Sequence, residues 1–296
     1  MLFSTTSSEL ILRVGAEAAV KMLIDAGFPC IDFSFEAIPE EIYTDSNATA
    51  LAHRLRAMAD AAGVTFNQSH APFGRCTEYL DRYAPLFPKA FEFAEILGVK
   101  TMVVHPRQTG IYYGHEEELF DWNMEFYSSI APLAKSHGIR IGIENMWTAH
   151  PLNRHQPIDD VCAPPAELCR YYDTLNDPAT FTVCLDLGHV AICAREPDDA
   201  IRTVGGKRLG ALHVHDVDYK NDLHTLPGLA KIDFEKCCRA LAEVDYTGEF
   251  TMEIPYYFKG FPTALLPDAA RLAARVGAHW AERVDAIKAE LKEEQK

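Results

Sequence analysis

The stretch FTVCLDLGH, residues 181–189, is the clearest indication of the fold. Apolar and β-branched residues fill its first half, as in a β-strand, and it ends in two ionisable residues, Asp186 and His189. The same order, an apolar run followed by an acid or an imidazole, returns in RIGIEN at 140–145 and in GALHVH at 210–215. The pattern predicts strands that deliver ionisable side chains at their carboxyl ends.

Short runs of this kind alternate with longer amphipathic segments along the whole chain. The predicted strands are Leu2–Thr6, Cys30–Phe35, Val64–Gln68, Thr101–His105, Arg140–Asn145, Phe181–Asp186, Gly210–His215 and Glu249–Ile254. The segments between them have apolar residues at helical spacing, and Gly63 and Gly98 each follow the last periodic residue, where a helix commonly ends. Two longer loops, 108–118 and 146–165, interrupt this alternation, and such loops are usually functional or mobile.

Because parallel strands need a crossover helix between them, this alternation predicts an α/β fold with a parallel sheet. Eight units in 296 residues favour a single (β/α)8 TIM barrel domain over residues 1–296. A doubly wound parallel sheet is the alternative, although it usually has fewer repeats.

Composition and charge exclude several classes of protein. The chain is 48% hydrophobic and 24% charged, which is typical of a globular protein rather than a disordered or collagenous one. Its net charge of −15 argues against nucleic acid and for a small-molecule partner. No apolar run is long enough to span a bilayer, so no membrane partner is expected. No basic and apolar leader is present, and eight cysteines without a C-x-x-C pair fit a reducing cytoplasm. GxGxxG, P-loop and GxSxG patterns are absent, so redox, nucleotide-hydrolysing and serine-hydrolase functions have no support.

The ionisable residues at the strand ends form the candidate site. The carboxyl ends of barrel strands converge on one mouth, where active sites are built. A lone histidine or glutamate at a strand end is usually a hydrogen-bonded structural residue, but burying many together is costly unless they are paired or bind a cation. We therefore expect a metal site formed by Glu144, Asp186, His213 and Glu253.

The ligand types leave the metal and its number open. Three carboxylates and one imidazole suit Mn²⁺, Co²⁺ or Mg²⁺. Nearby imidazoles would favour Zn²⁺ and more than one ion, or would support the ligands and bind substrate. The possible additional ligands are the imidazoles of His70, His105, His189 and His224 and the carboxylate of Asp222.

Several spaced motifs resemble those of the xylose isomerase-like barrel superfamily, which includes sugar and sugar-phosphate isomerases and epimerases and endonuclease IV-type enzymes. The motifs are IEN at Glu144, D-x-x-H at Asp186, H-x-x-D at His213, M-E-I at Glu253 and the segment DLHTLPGLAKIDF at 222–234. The similarity extends over nearly the whole chain.

The resemblance implies a role for each matching residue. In the single-metal epimerases, the counterparts of Glu144, Asp186, His213 and Glu253 hold the ion, and the two glutamates exchange protons with the substrate. The counterpart of His189 binds substrate oxygens. In the endonuclease branch these positions, with those of His70, His105, Asp222 and His224, form a three-zinc cluster, and this sequence matches all nine positions.

Two features depart from the family pattern. The segment PGLA at 227–230 lacks the usual second glycine, which predicts a differently shaped loop. The epimerases' further glutamate after the fifth-strand ligand has no counterpart here. Basic residues on the expected mouth loops are scattered, one to a loop, which suffices for one phosphate or carboxylate but not for a duplex: Arg75, Arg107, Arg154, Lys220 and Lys259.

These observations lead to a divalent-metal-dependent isomerase or epimerase of a sugar, sugar phosphate or related polyol, acting through an enediolate intermediate. Glu144, Glu253 and His189 are the predicted catalytic residues. Arg107, Trp147 and His215 are the predicted substrate-binding residues, with Trp147 offering its ring to sugar C–H groups. The alternatives are a zinc phosphodiesterase of the endonuclease IV type and a keto-sugar or inosose lyase (dehydratase). We expect a carbohydrate partner and allow for a homo-oligomer.

Overall fold

The computed structural model describes residues 1–36, 38–73 and 79–294. The strands are β1 Phe3–Thr5, β2 Cys30–Asp32, β3 Thr65–His70, β4 Thr101–Val104, β5 Arg140–Glu144, β6 Trp147–His150, β7 Asn153–Asp159, β8 Phe181–Asp186, β9 Leu209–His213 and β10 Phe250–Met252. Six parallel strands form a curved sheet in the order β2-β3-β4-β5-β8-β9, and β1 pairs in parallel with β10. Each predicted strand overlaps one of the parallel strands, so the prediction of an α/β fold built on a parallel sheet is confirmed.

The two parallel sheets meet at both of their edges. An isolated parallel bridge joins Thr6, just after β1, to Asp32 of β2. A second bridge joins Val214, just after β9, to Met252 of β10. The backbone N–H of Glu253 also donates to the carbonyl of Val214 at 3.0 Å. These contacts bring the carboxyl ends of all eight parallel strands to one side of the fold.

Helices connect the parallel strands. They are α1 Ser8–Val14, α2 Ala16–Ala26, α3 Glu41–Thr44, α4 Ala48–Ala62, α5 Phe87–Leu97, α6 Glu116–His137, α7 Pro165–Leu175, α8 Leu187–Ile192, α9 Pro197–Val204, α10 Phe234–Glu243, α11 Pro255–Lys259 and α12 Leu266–Glu294. Helices α4 and α5 end, as predicted, at Gly63 and Gly98, whose left-handed backbone conformation is open to glycine at little cost. Within the described residues, no helix combines the length and the apolar character needed to cross a bilayer.

The segment 146–165 differs from the predicted loop, because it contains an antiparallel hairpin of β6 and β7. Its tip is exposed and includes one large apolar side chain, Leu152, which is 93% exposed. The sequence HPLNRHQ at 150–156 has no apolar alternation, so it gives no strand signal. Only two residues separate the hairpin from the end of β5, so it lies beside the carboxyl ends of the sheet.

Strand register places the ionisable residues next to one another. In the pairing of β8 with β9, Asp186 lies opposite His213. In the pairing of β5 with β8, Glu144 lies opposite Cys184. Behind the sheet, buried aromatic rings such as Phe33, Phe66 and Phe93 pack against the helices. Burial of this apolar surface holds the strand ends in place, at roughly 25 cal/mol per Å² removed from water.

Candidate metal centre

Four predicted ligands converge at the carboxyl ends of the strands. Glu144 ends β5, Asp186 ends β8, His213 ends β9 and Glu253 follows β10. Each offers one ligand atom, and the four atoms all lie within 4.8 Å of one another. All four side chains are buried, with exposed fractions of at most 6%. Three buried carboxylates at one point repel one another unless a cation or protons compensate them.

Glu144 is at the centre of the cluster. Its Oε1 lies 2.7 Å from Nδ1 of His213, and its Oε2 lies 2.9 Å from Nε2 of His105. Burial alone would raise the pKa of Glu144, but the imidazoles of His213 and His105 outweigh burial and hold the pKa well below its usual range. Glu144 is therefore held as an ionised carboxylate, with Oε1 toward His213 and Oε2 toward His105.

Glu253 has the opposite electrostatic character. Burial raises its pKa to about 7, even though the imidazoles of His213 and His224 lower it, and the nearby Glu144 adds to the rise. Two carboxylates in one site, one held ionised and one that binds a proton near neutral pH, are the usual arrangement of an acid and base pair.

A second group lies on the β3 and β4 side of Glu144. It consists of His70, His105 and Glu144, each of which offers a ligand atom within 4.8 Å of the others. Nδ1 of His70 donates to the carbonyl of Ala71 at 3.0 Å, and its Nε2 lies 2.7 Å from Nε2 of His105. Two imidazole nitrogens at this distance form a hydrogen bond, so one of them carries a proton.

A third group lies on the opposite side and consists of His189, His215, Asp222 and His224. Oδ2 of Asp222 lies 3.1 Å from Nε2 of His224 and 3.8 Å from Nε2 of His189. Oδ1 of Asp222 has no hydrogen-bond partner among the described residues. A carboxylate oxygen left in this state beside imidazole nitrogens has the chemistry of a cation ligand.

Backbone carbonyls orient three of the imidazoles toward the cluster. Nδ1 of His189 lies 2.9 Å from the carbonyl of Asn145, and Nδ1 of His224 lies 3.1 Å from the carbonyl of Glu253. A carbonyl only accepts, so Nδ1 carries the proton there, as it does in His70. Nε2 of each ring is then the nitrogen that a divalent ion would take as a ligand, displacing any proton that it carries, as in other metal-ligating histidines. The residues present therefore fit one or more divalent ions.

The predicted substrate-binding residues occupy three different settings. Nε1 of Trp147 donates to Oδ2 of Asp222 at 3.2 Å, so its half-buried ring borders the third group. His215 is fully buried, and its Nε2 lies 3.1 Å from both oxygens of Asp186. The guanidinium of Arg107 lies over the ring of Trp122 at 4.9 Å. No hydrogen bond or ion pair joins Arg107 to the cluster within the described ranges, and Arg75 lies outside them.

Gly188 makes room for the buried His215. A Cβ atom on residue 188 would lie 2.0 Å from Cε1 of His215, so a larger residue there would displace the ring. The ring of His215 also stacks on His224, with centroids 3.9 Å apart. His215 thus contacts both Asp186 and His224.

Asp216 organises the loop that carries Asp222 and His224. Its buried carboxylate accepts five backbone N–H groups: those of Val217, Gly228, Ala230, Lys231 and Ile232. Ala230 stands where the family has its second glycine. Because Ala230 is not among the residues with a positive φ, alanine fits that position without backbone strain.

Sequence reasoning missed two acids and an amide near the cluster. Glu36, His70 and Glu253 offer ligand atoms within 4.8 Å of one another. Asp32 is fully buried and accepts from Nε2 of Gln68 at 3.0 Å, and Asn145 exchanges two hydrogen bonds with the backbone of Asp186. Glu36 follows directly on the predicted strand Cys30–Phe35, so its position at a strand end was the available signal.

The match to a family model identifies the class of the protein. Residues 20–283 match the model described as xylose isomerase-like TIM barrel, and the chain belongs to that family. An uncharacterised protein of Methanocaldococcus jannaschii is 29% identical over 167 residues, which are 55% of this chain and 54% of that protein. The match thus spans about half the length of this curated relative.

Solved structures with a similar fold include sugar epimerases. D-psicose 3-epimerase from Clostridium cellulolyticum H10, solved with D-tagatose, superposes with a TM-score of 0.71 at 16% identity, over 94% of this chain and 99% of that one. A D-tagatose 3-epimerase-like protein gives a TM-score of 0.71 at 19% identity, over 97% and 99%. The IolI protein, solved with a zinc atom, gives 0.69 at 17% identity, over 96% and 98%. At these identities the likeness concerns the fold.

Proposed function

We propose that this protein is a divalent-metal-dependent isomerase or epimerase of a sugar, sugar phosphate or related polyol. The observation that carries the proposal is the convergence of Glu144, Asp186, His213 and Glu253, whose ligand atoms lie within 4.8 Å of one another in a buried site. The similarity in fold to sugar 3-epimerases supports the same class of reaction. We also infer that the eight parallel strands form one closed barrel domain, because single bridges join the two sheets at both edges.

Glu144, Asp186, His213 and Glu253 would hold the ion. A divalent cation such as Mn²⁺, Co²⁺, Mg²⁺ or Zn²⁺ would supply Lewis acidity toward adjacent carbonyl and hydroxyl oxygens of the sugar. The protein residues would keep the donor set dry, because the four side chains are almost completely buried.

The two glutamates would move the proton at the reacting carbon. Abstraction of a proton beside a carbonyl gives an enediolate, and return of a proton to the other face or to the neighbouring carbon gives the epimer or the isomer. Glu144 is held ionised by His213 and His105, so it suits proton abstraction. Glu253, with its pKa raised by burial to about 7, suits proton return.

His189 would orient a hydroxyl group of the substrate. Because its Nδ1 is engaged by the carbonyl of Asn145, its Nε2 is free to accept a hydrogen bond from a hydroxyl. Trp147, fixed through its hydrogen bond to Asp222, would offer a ring face to the sugar, and Arg107 remains a candidate for an anionic group of the substrate.

Incubation of the metal-loaded enzyme with a panel of ketoses in D2O tests the proposal. We expect deuterium at the carbon beside the carbonyl and an epimer or aldose of unchanged mass apart from that exchange. Loss of water, seen in the product mass, would indicate the lyase instead. Absence of exchange with all ketoses, their phosphates and inososes would contradict the proposal.

A second candidate function is a zinc phosphodiesterase of the endonuclease IV type. The observation that favours it is the presence of the two flanking ligand groups, His70 with His105 and His189 with Asp222 and His224, on either side of the central four residues. Three zinc ions per chain together with cleavage of DNA at abasic sites would support this candidate. The net charge of −15 argues against it.

A further inference from the structure

A cavity of about 550 Å³ lies at the amino ends of the strands. Its lining includes Thr65, Thr101, Arg140 and Leu209, which are the first residues of β3, β4, β5 and β9. Glu144 is the last residue of β5, so the cavity and the candidate metal centre lie at opposite ends of the same strands. The volume is within the range of small-molecule sites.

The lining is basic although the chain is acidic. Arg56, Lys100, Arg140 and Lys207 contribute positive charges to the cavity, against a single carboxylate, Glu249. Within the described residues, no carboxylate lies within 4.0 Å of the charged atoms of Lys100, Arg140 or Lys207. In a chain with a net charge of −15, three neighbouring basic side chains without such partners are a marked local exception.

Two of the basic side chains are held in place. Nη1 of Arg56 donates to the carbonyl of Leu97 at 2.9 Å, and its Nε donates to Oδ1 of Asp60 at 2.7 Å. Arg140 is half-buried, and its one side-chain hydrogen bond to the described residues runs from Nη2 to Oγ1 of Thr101 at 3.4 Å. Most of the five N–H donors of Arg140 are therefore available to an anion.

Polar uncharged residues also line the cavity. Asn67 is 8% exposed and donates through Nδ2 to Oγ1 of Thr251 at 3.1 Å. Thr65, Thr101 and Thr182 are further lining residues with hydroxyl groups. The lining therefore offers polar groups as well as positive charge.

From the cavity and its basic lining we propose that the amino ends of the strands bind a small organic phosphate. The phosphate group would lie among the basic side chains of Lys100, Arg140 and Lys207. The site is independent of the proposed function, because it shares no residue with the metal centre.

Titration calorimetry of the metal-loaded full-length protein with glycerol phosphate tests the site. We expect saturable binding of one equivalent per chain, and affinity weakened about tenfold in the double variant Lys100→Gln/Lys207→Gln. The matched control is Lys236→Gln/Lys292→Gln, which removes two exposed lysines of α10 and α12 and should leave the affinity unchanged. Both pairs are exposed, and circular dichroism checks that they fold.

No binding of glycerol phosphate at millimolar concentration would overturn the proposal. So would binding that Lys100→Gln/Lys207→Gln leaves unchanged, because the ligand would then lie elsewhere, for example at the metal centre.

Discussion

Nδ1 of His213 lies 2.7 Å from Oε1 of Glu144, although 69 residues separate them in the sequence. Both side chains are buried, and each ends a strand of the same parallel sheet. The contact exists because β8, which pairs with both β5 and β9, sets the register of the two strand ends. The backbone of the sheet thus brings the central candidate ligands and His70 together, and the other flanking candidates lie in loops or, for His189, in α8.

Replacement of either glutamate by glutamine should abolish turnover while the fold is retained. Glu144→Gln and Glu253→Gln remove the groups that would move the proton, so we expect kcat/KM to fall by about 10²- to 10⁴-fold. Initial rates and circular dichroism check this. Glu92→Gln, on the exposed side of α5 where Glu92 pairs with Lys89, is the matched control and should retain full activity. Near-normal rates in Glu253→Gln would remove it from the mechanism.

Substitution of Gly188 by alanine should displace the ring of His215 and so weaken the candidate metal centre. The new Cβ would meet the ring of His215 at 2.0 Å, so His215 would move away from Asp186. We expect a loss of about 1–3 kcal/mol in the free energy of unfolding together with weaker metal binding. Gly260→Ala, at a site whose nearest atom is 3.3 Å away, is the control for adding a methyl group. Unchanged metal affinity in Gly188→Ala would show that His215 does not position Asp186.

Asp216→Asn should loosen the loop that carries Asp222 and His224. The amide group would face backbone N–H donors in place of a carboxylate oxygen, which leaves buried donors unpaired and costs about 3 kcal/mol. Urea unfolding and proteolysis within residues 222–232 measure the effect. Asp218→Asn is the control, since Asp218 also accepts backbone N–H groups but is only half-buried. Equal stability of the two variants would contradict the role of Asp216.

Glu167 should make the stability of the protein depend on pH. Burial raises its pKa from 4.5 to about 7, despite the hydrogen bond donated by the hydroxyl of Tyr112. The folded state then binds the proton more tightly than the unfolded chain. This contribution to stability is complete below pH 4.5 and is lost as the pH rises through 7. Urea unfolding at pH 5 and pH 8 should show a smaller loss for Glu167→Gln than for the natural chain. An equal loss in both proteins would contradict the assignment.

The sequence predicted the parallel strands and the ligands at their ends for a physical reason. A buried strand needs a continuous apolar run, and an acid or imidazole at its end stands out against that run, as Asp186 does in FTVCLD. The hairpin of β6 and β7 has no such contrast. Glu36 directly follows the predicted strand Cys30–Phe35, so the same contrast was present but was not used. In the structure the N–H groups of Phe33 and Phe35 donate to carbonyls of β3, and this pairing carries Glu36 on toward the cluster.

The settings of Arg107 and His215 depend on packing that sequence patterns do not encode. The ring of Trp122, on the first half of α6, lies beneath the guanidinium of Arg107. Strand alternation places His213 and His215 on one face, but only the close approach of Gly188 shows that His215 is fully enclosed. The spacing H-x-H therefore predicts that both imidazoles lie at the site, but it does not show which groups each of them contacts.

Elemental analysis of protein purified without a chelator tests the central claim, that the cluster around Glu144 binds divalent metal. We expect about one Mn, Co, Mg or Zn ion per chain, and loss of that ion in His213→Ala with the fold retained. Three zinc ions per chain would uphold the metal centre and favour the phosphodiesterase. A fully active protein without bound divalent metal, whose activity also survives chelation, would contradict the account.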